Sequence, residues 1–328
     1  MKVITKGGKI INRGYTGIVM ELFNNDDDNT LYNDLKKTKP KDLTLIAIDE
    51  RIKIPVKDLD SVLRLIRLNS KTTLAKKFSY IIPLFNADEK RFNNELEGYK
   101  QLISMFGKDI SKYTTVKRGF EYNKKDIYGI LFNKTYYIFI EKCYKTIDNI
   151  KFTQKSLNKC VNDITEVLDI LKKNNYIHND IKPDNIIYCN KRFKLIDWES
   201  SNLIKNQTST FINSKNGNFT FNHPIKFYKI GLPYFFYRYI YDAEIQTYPY
   251  IAELKSPVII TEMVYNSFND VLKRYKNSPK DYYLKLADYY SFAISIIYMA
   301  EKNNIDYPKK FVNDILANYF IKNDIRIN

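Results

Sequence analysis

Two carboxylates, an amide, an ammonium group and an imidazole fall within one short stretch of this chain. His178, Asp180, Lys182 and Asn185 follow the pattern H-x-D-x-K-x-x-N, and Asp197 lies twelve residues beyond Asn185. A carboxylate can take a proton from a hydroxyl, and oxygen donors from Asp and Asn suit a hard divalent cation. An ammonium can neutralise negative charge as it develops. Because Asn, Asp and Pro are also the common turn formers, an ordinary polar turn is the plain alternative. The flanking segments speak against it. Over residues 153–174, Leu157, Val161, Ile164, Leu168 and Leu171 recur every three or four positions, which predicts a long amphipathic helix with Thr153 or Ser156 as its cap. After the polar loop, two β-type runs at 185–188 and 193–196 flank the basic turn Cys189-Asn190-Lys191-Arg192. The predicted order is helix, polar loop, hairpin, with Asp197 where the hairpin ends.

That order resembles the catalytic loop of protein kinases, which reads H-R-D-x-K-P-x-x-N before a strand ending in D-F-G. The resemblance implies phosphoryl transfer from ATP with Mg2+. Asp180 would orient and deprotonate the acceptor hydroxyl, Lys182 would neutralise the transferring phosphoryl group, Asn185 and Asp197 would hold magnesium, and His178 would be structural. Near the N-terminus, Asn12, Gly14, Gly17 and Val19 resemble the glycine-rich phosphate loop G-x-G-x-x-G-x-V, with Asn in place of the first Gly. The phosphate-pairing lysine belongs on a strand, and Thr73-Leu74-Ala75-Lys76-Lys77-Phe78 fits one. Lys76 is preferred because it shares a strand face with Leu74 and Phe78, with Lys77 as the alternative. Its glutamate partner would be Glu95, with Glu97 as the alternative. Glu141 and Cys143, after the apolar run from Thr135, match the inter-lobe hinge, whose backbone would bond adenine. Asp288 and Ser291 resemble the start of the helix that braces the catalytic loop.

The implied fold is α+β and bilobal. A small β-rich N-lobe would span residues 1–141 with an insertion at about 24–71, and a helical C-lobe 142–328 with a long insertion at about 200–285. Residues 58–68 carry helical apolar spacing, while 24–29 and 200–218 read as loops. Departures from the family pattern are specific. Asn179 replaces the loop arginine, Trp198-Glu199 replaces Phe-Gly, and no A-P-E follows. Together with the insertions, the sequence style resembles Ser/Thr protein kinases encoded by large DNA viruses. Lys182-Pro183 favours a protein Ser/Thr acceptor. Choline-, ethanolamine- and aminoglycoside-type kinases remain an alternative through His178-Asn179-Asp180 and Ile196-Asp197-Trp198-Glu199, and a pseudokinase scaffold is a third.

The chain has 328 residues, 44% of them hydrophobic, enough to bury a large core, and no apolar run of about 18 residues able to span a bilayer. The N-terminal segment lacks a secretory pattern, so an intracellular, cytoplasmic protein is expected. Cys143, Cys160 and Cys189 show no CxxC pairing, which suggests neither a zinc site nor a disulfide framework. The net charge of +16 comes from lysines spread along the whole chain, so nucleic acid is a possible but not a favoured partner.

Overall fold

The computed structural model describes residues 10–13, 17–23, 30–47, 53–78, 87–117, 119–133, 135–143, 146–147, 150–204 and 282–319. The chain divides into two compact units, Met1–Tyr144 and Lys145–Asn328.

The first unit is built on an antiparallel sheet. Its strands are β1 (Ile10–Arg13), β2 (Gly17–Glu21), β3 (Leu43–Ala47), β4 (Lys53–Pro55), β5 (Thr73–Phe78), β6 (Glu121–Tyr122), β7 (Lys125–Phe132) and β8 (Thr135–Glu141). They lie in the order β1-β2-β5-β8-β7-β3-β4, with β6 paired to β7. The segment expected as an insertion is therefore structural in part. β3 pairs along β7 from Leu43↔Phe132 to Ala47↔Ile127 and widens the sheet. Two helices cover this extension, α1 (Leu31–Lys36), capped by Thr30, and α2 (Leu59–Asn69), capped by Asp58. Their apolar faces explain why the segment folds. Leu31, Leu35, Val62, Leu63 and Ile66 are buried in one core with Leu45, Ile127, Ile130 and Phe139. Where β7 meets β8 there is no room for a side chain, because a Cβ on Gly129 would lie 2.2 Å from the Tyr137 carbonyl oxygen. Beyond β5, α3 (Ala87–Phe106) buries Phe92, Leu96, Tyr99 and Leu102 at helical spacing, and Phe92 packs edge-on to Phe78 with 5.7 Å between ring centroids.

In the second unit, α4 (Gln154–Lys173) follows the predicted stripe, burying Leu157, Val161, Ile164, Leu168 and Leu171. Thr153 and Ser156 act together as a capping box, so both proposed caps are used. Asp163, buried on this helix, accepts the Phe193 N–H at 2.9 Å and fixes the hairpin of β10 (Ile186–Cys189) and β11 (Arg192–Leu195) against it. The hairpin turn, Asn190 and Lys191 at φ 51° and 62°, has the left-handed pair that a two-residue connection requires. β9 (Tyr176–Ile177) pairs with β12 (Asn202–Leu203), so the segment expected as a loop from residue 200 contains a two-residue strand. Cross-strand hydrogen bonding to β9 outweighs the low β-propensity of that Ser/Asn-rich segment. α5 (Tyr282–Lys302) is buried on every face from Asp288 to Ala300, which makes it a central helix, and α6 (Lys309–Tyr319) follows it. Of the cysteines, Cys160 is a free thiol enclosed within this unit, and burial pushes its pKa well up.

Candidate active site

Three elements hold the polar loop in place. It leaves β9 at His178, passes through a 3-10 turn at Pro183–Asn185 and enters β10. Asp288 of α5 reaches under it, accepting the His178 N–H at 2.6 Å and the Asn179 N–H at 3.0 Å. Each carboxylate oxygen thus takes one loop amide, and Asn179 is held at a left-handed φ of 75°. The His178 ring is fully buried edge-on to Trp198. Its Nδ1 accepts the Asp180 N–H at 3.3 Å, so Nε2 carries the proton and donates to the Ile196 carbonyl at 2.9 Å. Burial pushes the His178 pKa down, only partly opposed by Asp288, Asp180, the Ile196 carbonyl and Asp197, and the ring stays neutral.

Asp180, Lys182 and Asn185 form one cluster. Asp180 Oδ2 accepts from Lys182 Nζ at 2.9 Å and from Asn185 Nδ2 at 2.8 Å, and Asn185 Nδ2 also donates to the Asp180 carbonyl at 2.8 Å. Burial disfavours the Lys182 ammonium, but the Asp180 carboxylate, helped by Asp197 and Asp184, outweighs it and raises the lysine pKa. With its NH2 turned twice toward Asp180, Asn185 presents Oδ1 on its other side. Asp197 follows β11 in a left-handed conformation, φ 65° and ψ 66°, directly before the buried Trp198. Among the described residues the second unit therefore brings together two ionised groups and an amide, with Asp197 closing the same hairpin.

In the first unit, Lys76 on β5 lies between Val19 of β2 and Ile138 of β8. Its Nζ meets Glu95 Oε2 at 2.6 Å, with the glutamate only 1% exposed. Tyr99, one turn along α3, donates to Glu95 Oε1 at 2.9 Å, so both carboxylate oxygens are held. Lys77, on the opposite strand face, lies 5.8 Å from the Tyr137 ring centroid. Of the two pairs of alternatives, Lys76 and Glu95 are the members that meet in an ion pair.

Other expected residues are placed with less detail. Asn12 lies in β1, opposite Val19 in the register, and Gly17 opens β2, while Gly14 falls outside the described residues. Glu141 ends β8, its N–H bonded to the Thr115 carbonyl at 2.8 Å, and Cys143 follows it. Three contributors escaped the sequence reading. Tyr99 could have been found from its i,i+4 spacing to Glu95, and Asp163 from being an acidic residue within an apolar stripe. Asn179 registered as a missing arginine and as part of His178-Asn179-Asp180, not through its bond to Ser200.

A family model described as protein kinase domain matches residues 60–224. Three vaccinia virus proteins, each named Pseudokinase OPG198 and coming from strains Ankara, Copenhagen and Western Reserve, are 26% identical to the chain over 144 residues. The match covers 44% of this chain and 48% of theirs, so it spans about half the length of these curated relatives. The model match takes in half of the 328 residues, including the whole of the Asp180 loop and Asp197, and the chain belongs to the protein kinase domain family.

Proposed function

We propose that the chain is an ATP- and magnesium-dependent kinase that phosphorylates Ser or Thr hydroxyls of a protein inside the cell. The observation that carries this reading is the cluster in which Lys182 and Asn185 both bond Asp180 Oδ2 at 2.8–2.9 Å. Those two bonds fix the carboxylate and leave Oδ1, which has no partner among the described residues, to take the acceptor's proton. Lys182 stays charged and offsets negative charge on the phosphoryl group in the transition state. Asn185 Oδ1 and the Asp197 carboxylate are hard oxygen donors of the type magnesium takes, so the donor set fits the ion, which would neutralise the phosphates when bound. Lys76, oriented by Glu95 and Tyr99, engages the α- and β-phosphates. Gly14 and Gly17 let backbone N–H groups approach the phosphates, and the backbone around Glu141 and Cys143 receives the base.

A second reading, a nucleotide-binding or nucleotide-free scaffold, is favoured by the name of the vaccinia relatives and by Asn12 in the place of a glycine. Incubating the purified chain with labelled ATP and Mg2+, generic acidic and basic proteins, and choline, ethanolamine or an aminoglycoside separates the classes. Label on protein Ser or Thr is expected. Binding of ATP with no transfer to any acceptor would establish the scaffold, and label only on a small molecule would reassign the substrate class.

A further inference from the structure

The position where the family loop carries arginine is not vacant of function here. Asn179, 2% exposed, donates from Nδ2 to the Ser200 carbonyl at 3.0 Å, three residues beyond Asp197. Its own backbone is pinned from the other side by Asp288. The segment it grips is tied to the loop's approach at further points: the Tyr176 hydroxyl meets Ser201 Oγ at 2.9 Å, β12 pairs with β9, and the Ile204 N–H bonds the Asn175 carbonyl at 2.8 Å. The Trp198–Ser200 turn closes with Ser201 N–H on the Trp198 carbonyl at 3.1 Å.

We propose that Asn179 is a positioning residue whose neutral amide clamps the segment after Asp197 onto the catalytic loop, so that Asp197 is set for magnesium by the fold itself. An arginine would need an anion to hold it in such a place. An amide N–H can be held by the carbonyl that is already there, with no charge to balance. Asn also suits the left-handed backbone at this position, which most side chains disfavour, so one residue meets the conformational and the hydrogen-bonding demand together. Ser200 contributes its backbone carbonyl, so the clamp does not depend on the type of residue at 200.

The inference rests on the proposed kinase reading for its link to magnesium, and the test separates the two. Asn179→Gly keeps access to the left-handed backbone and removes the side-chain amide, the Nδ2 donor with it. In the full chain, hydrogen exchange of peptides covering residues 198–204 should quicken about tenfold without nucleotide, the weight of one buried hydrogen bond. The Mg2+ concentration giving half-maximal ATP turnover should rise about tenfold, with the ATP half-saturation at excess Mg2+ little changed. Tyr176→Phe, which removes a neighbouring tie but not the clamp, should leave the magnesium dependence near wild type. Unchanged exchange in Asn179→Gly overturns the clamp. Faster exchange with an unshifted magnesium requirement overturns its role in setting Asp197. Faster exchange in a chain whose wild type never uses Mg-ATP upholds the clamp and removes the kinase reading.

Discussion

Asp180 sits where one carboxylate oxygen is held by two donors, so the chemistry of the loop is concentrated in very few atoms. Asp180→Asn and Asp197→Ala should each lower phosphotransfer by about a thousandfold or more while circular dichroism stays native, since neither side chain anchors the hydrophobic core. A folded Asp197→Ala protein with near-normal turnover would sink the assignment. Lys76→Met should cost about a hundredfold in turnover at fixed ATP, and Lys77→Met little, because only Lys76 is aimed by Glu95. His178 adds a pH signature. Its folded pKa lies below the unfolded value, so the unfolded chain binds the extra proton first, and stability present above about pH 6.5 falls as the pH drops toward the folded pKa. The slope from this one group is at most ~1.4 kcal/mol per pH unit. Melting temperatures of wild type and His178→Gln, compared between pH 7.5 and 5, should show a flatter acid limb in the variant.

Among the elements, α4 shows how far pattern reaches. Its apolar stripe and its cap were readable because periodicity and capping are local properties of the chain. Thr153→Ala should cost about 1 kcal/mol in urea unfolding. Asp163→Ala should cost about 2 kcal/mol, because the buried Phe193 N–H loses its charged acceptor. The loop from His178 to Asn185 was equally legible, since residue types at fixed spacing carry its chemistry. β12 was not, because a two-residue strand exists only through its partner β9, some 25 residues earlier. The same holds for β3, whose partner β7 lies far along the sequence. The preference for Lys76 over Lys77 was legible from the strand face it shares with Leu74 and Phe78, whereas its ion pair with Glu95 depends on how α3 packs on β5, which a single strand does not state. Asn179 was legible as a departure, but its bond to Ser200 depends on the return of the chain after the hairpin.

At the scale of the whole molecule, regulation and substrate class follow from the same loop. With an amide where the family carries arginine, phosphatase treatment should leave activity within about twofold of the untreated protein, and a large loss would point to a phosphate receiver elsewhere. Lys182→Ala should lower protein phosphorylation by about a hundredfold or more, and choline and ethanolamine should give no saturable turnover, because an ammonium beside the phosphoryl group repels a cationic acceptor. Choline phosphorylation that survives Lys182→Ala would reverse the substrate assignment. The β3–β7 pairing also sets a timetable for synthesis. As the chain leaves the ribosome, the apolar faces of α1, α2 and β3 emerge well before β7, the strand that completes their core, so these faces must wait in water for roughly 55 to 90 residues of further translation. Nascent chains halted near residue 110 should therefore be readily cleaved by protease and captured by chaperones, and those long enough to have freed β8 should resist both.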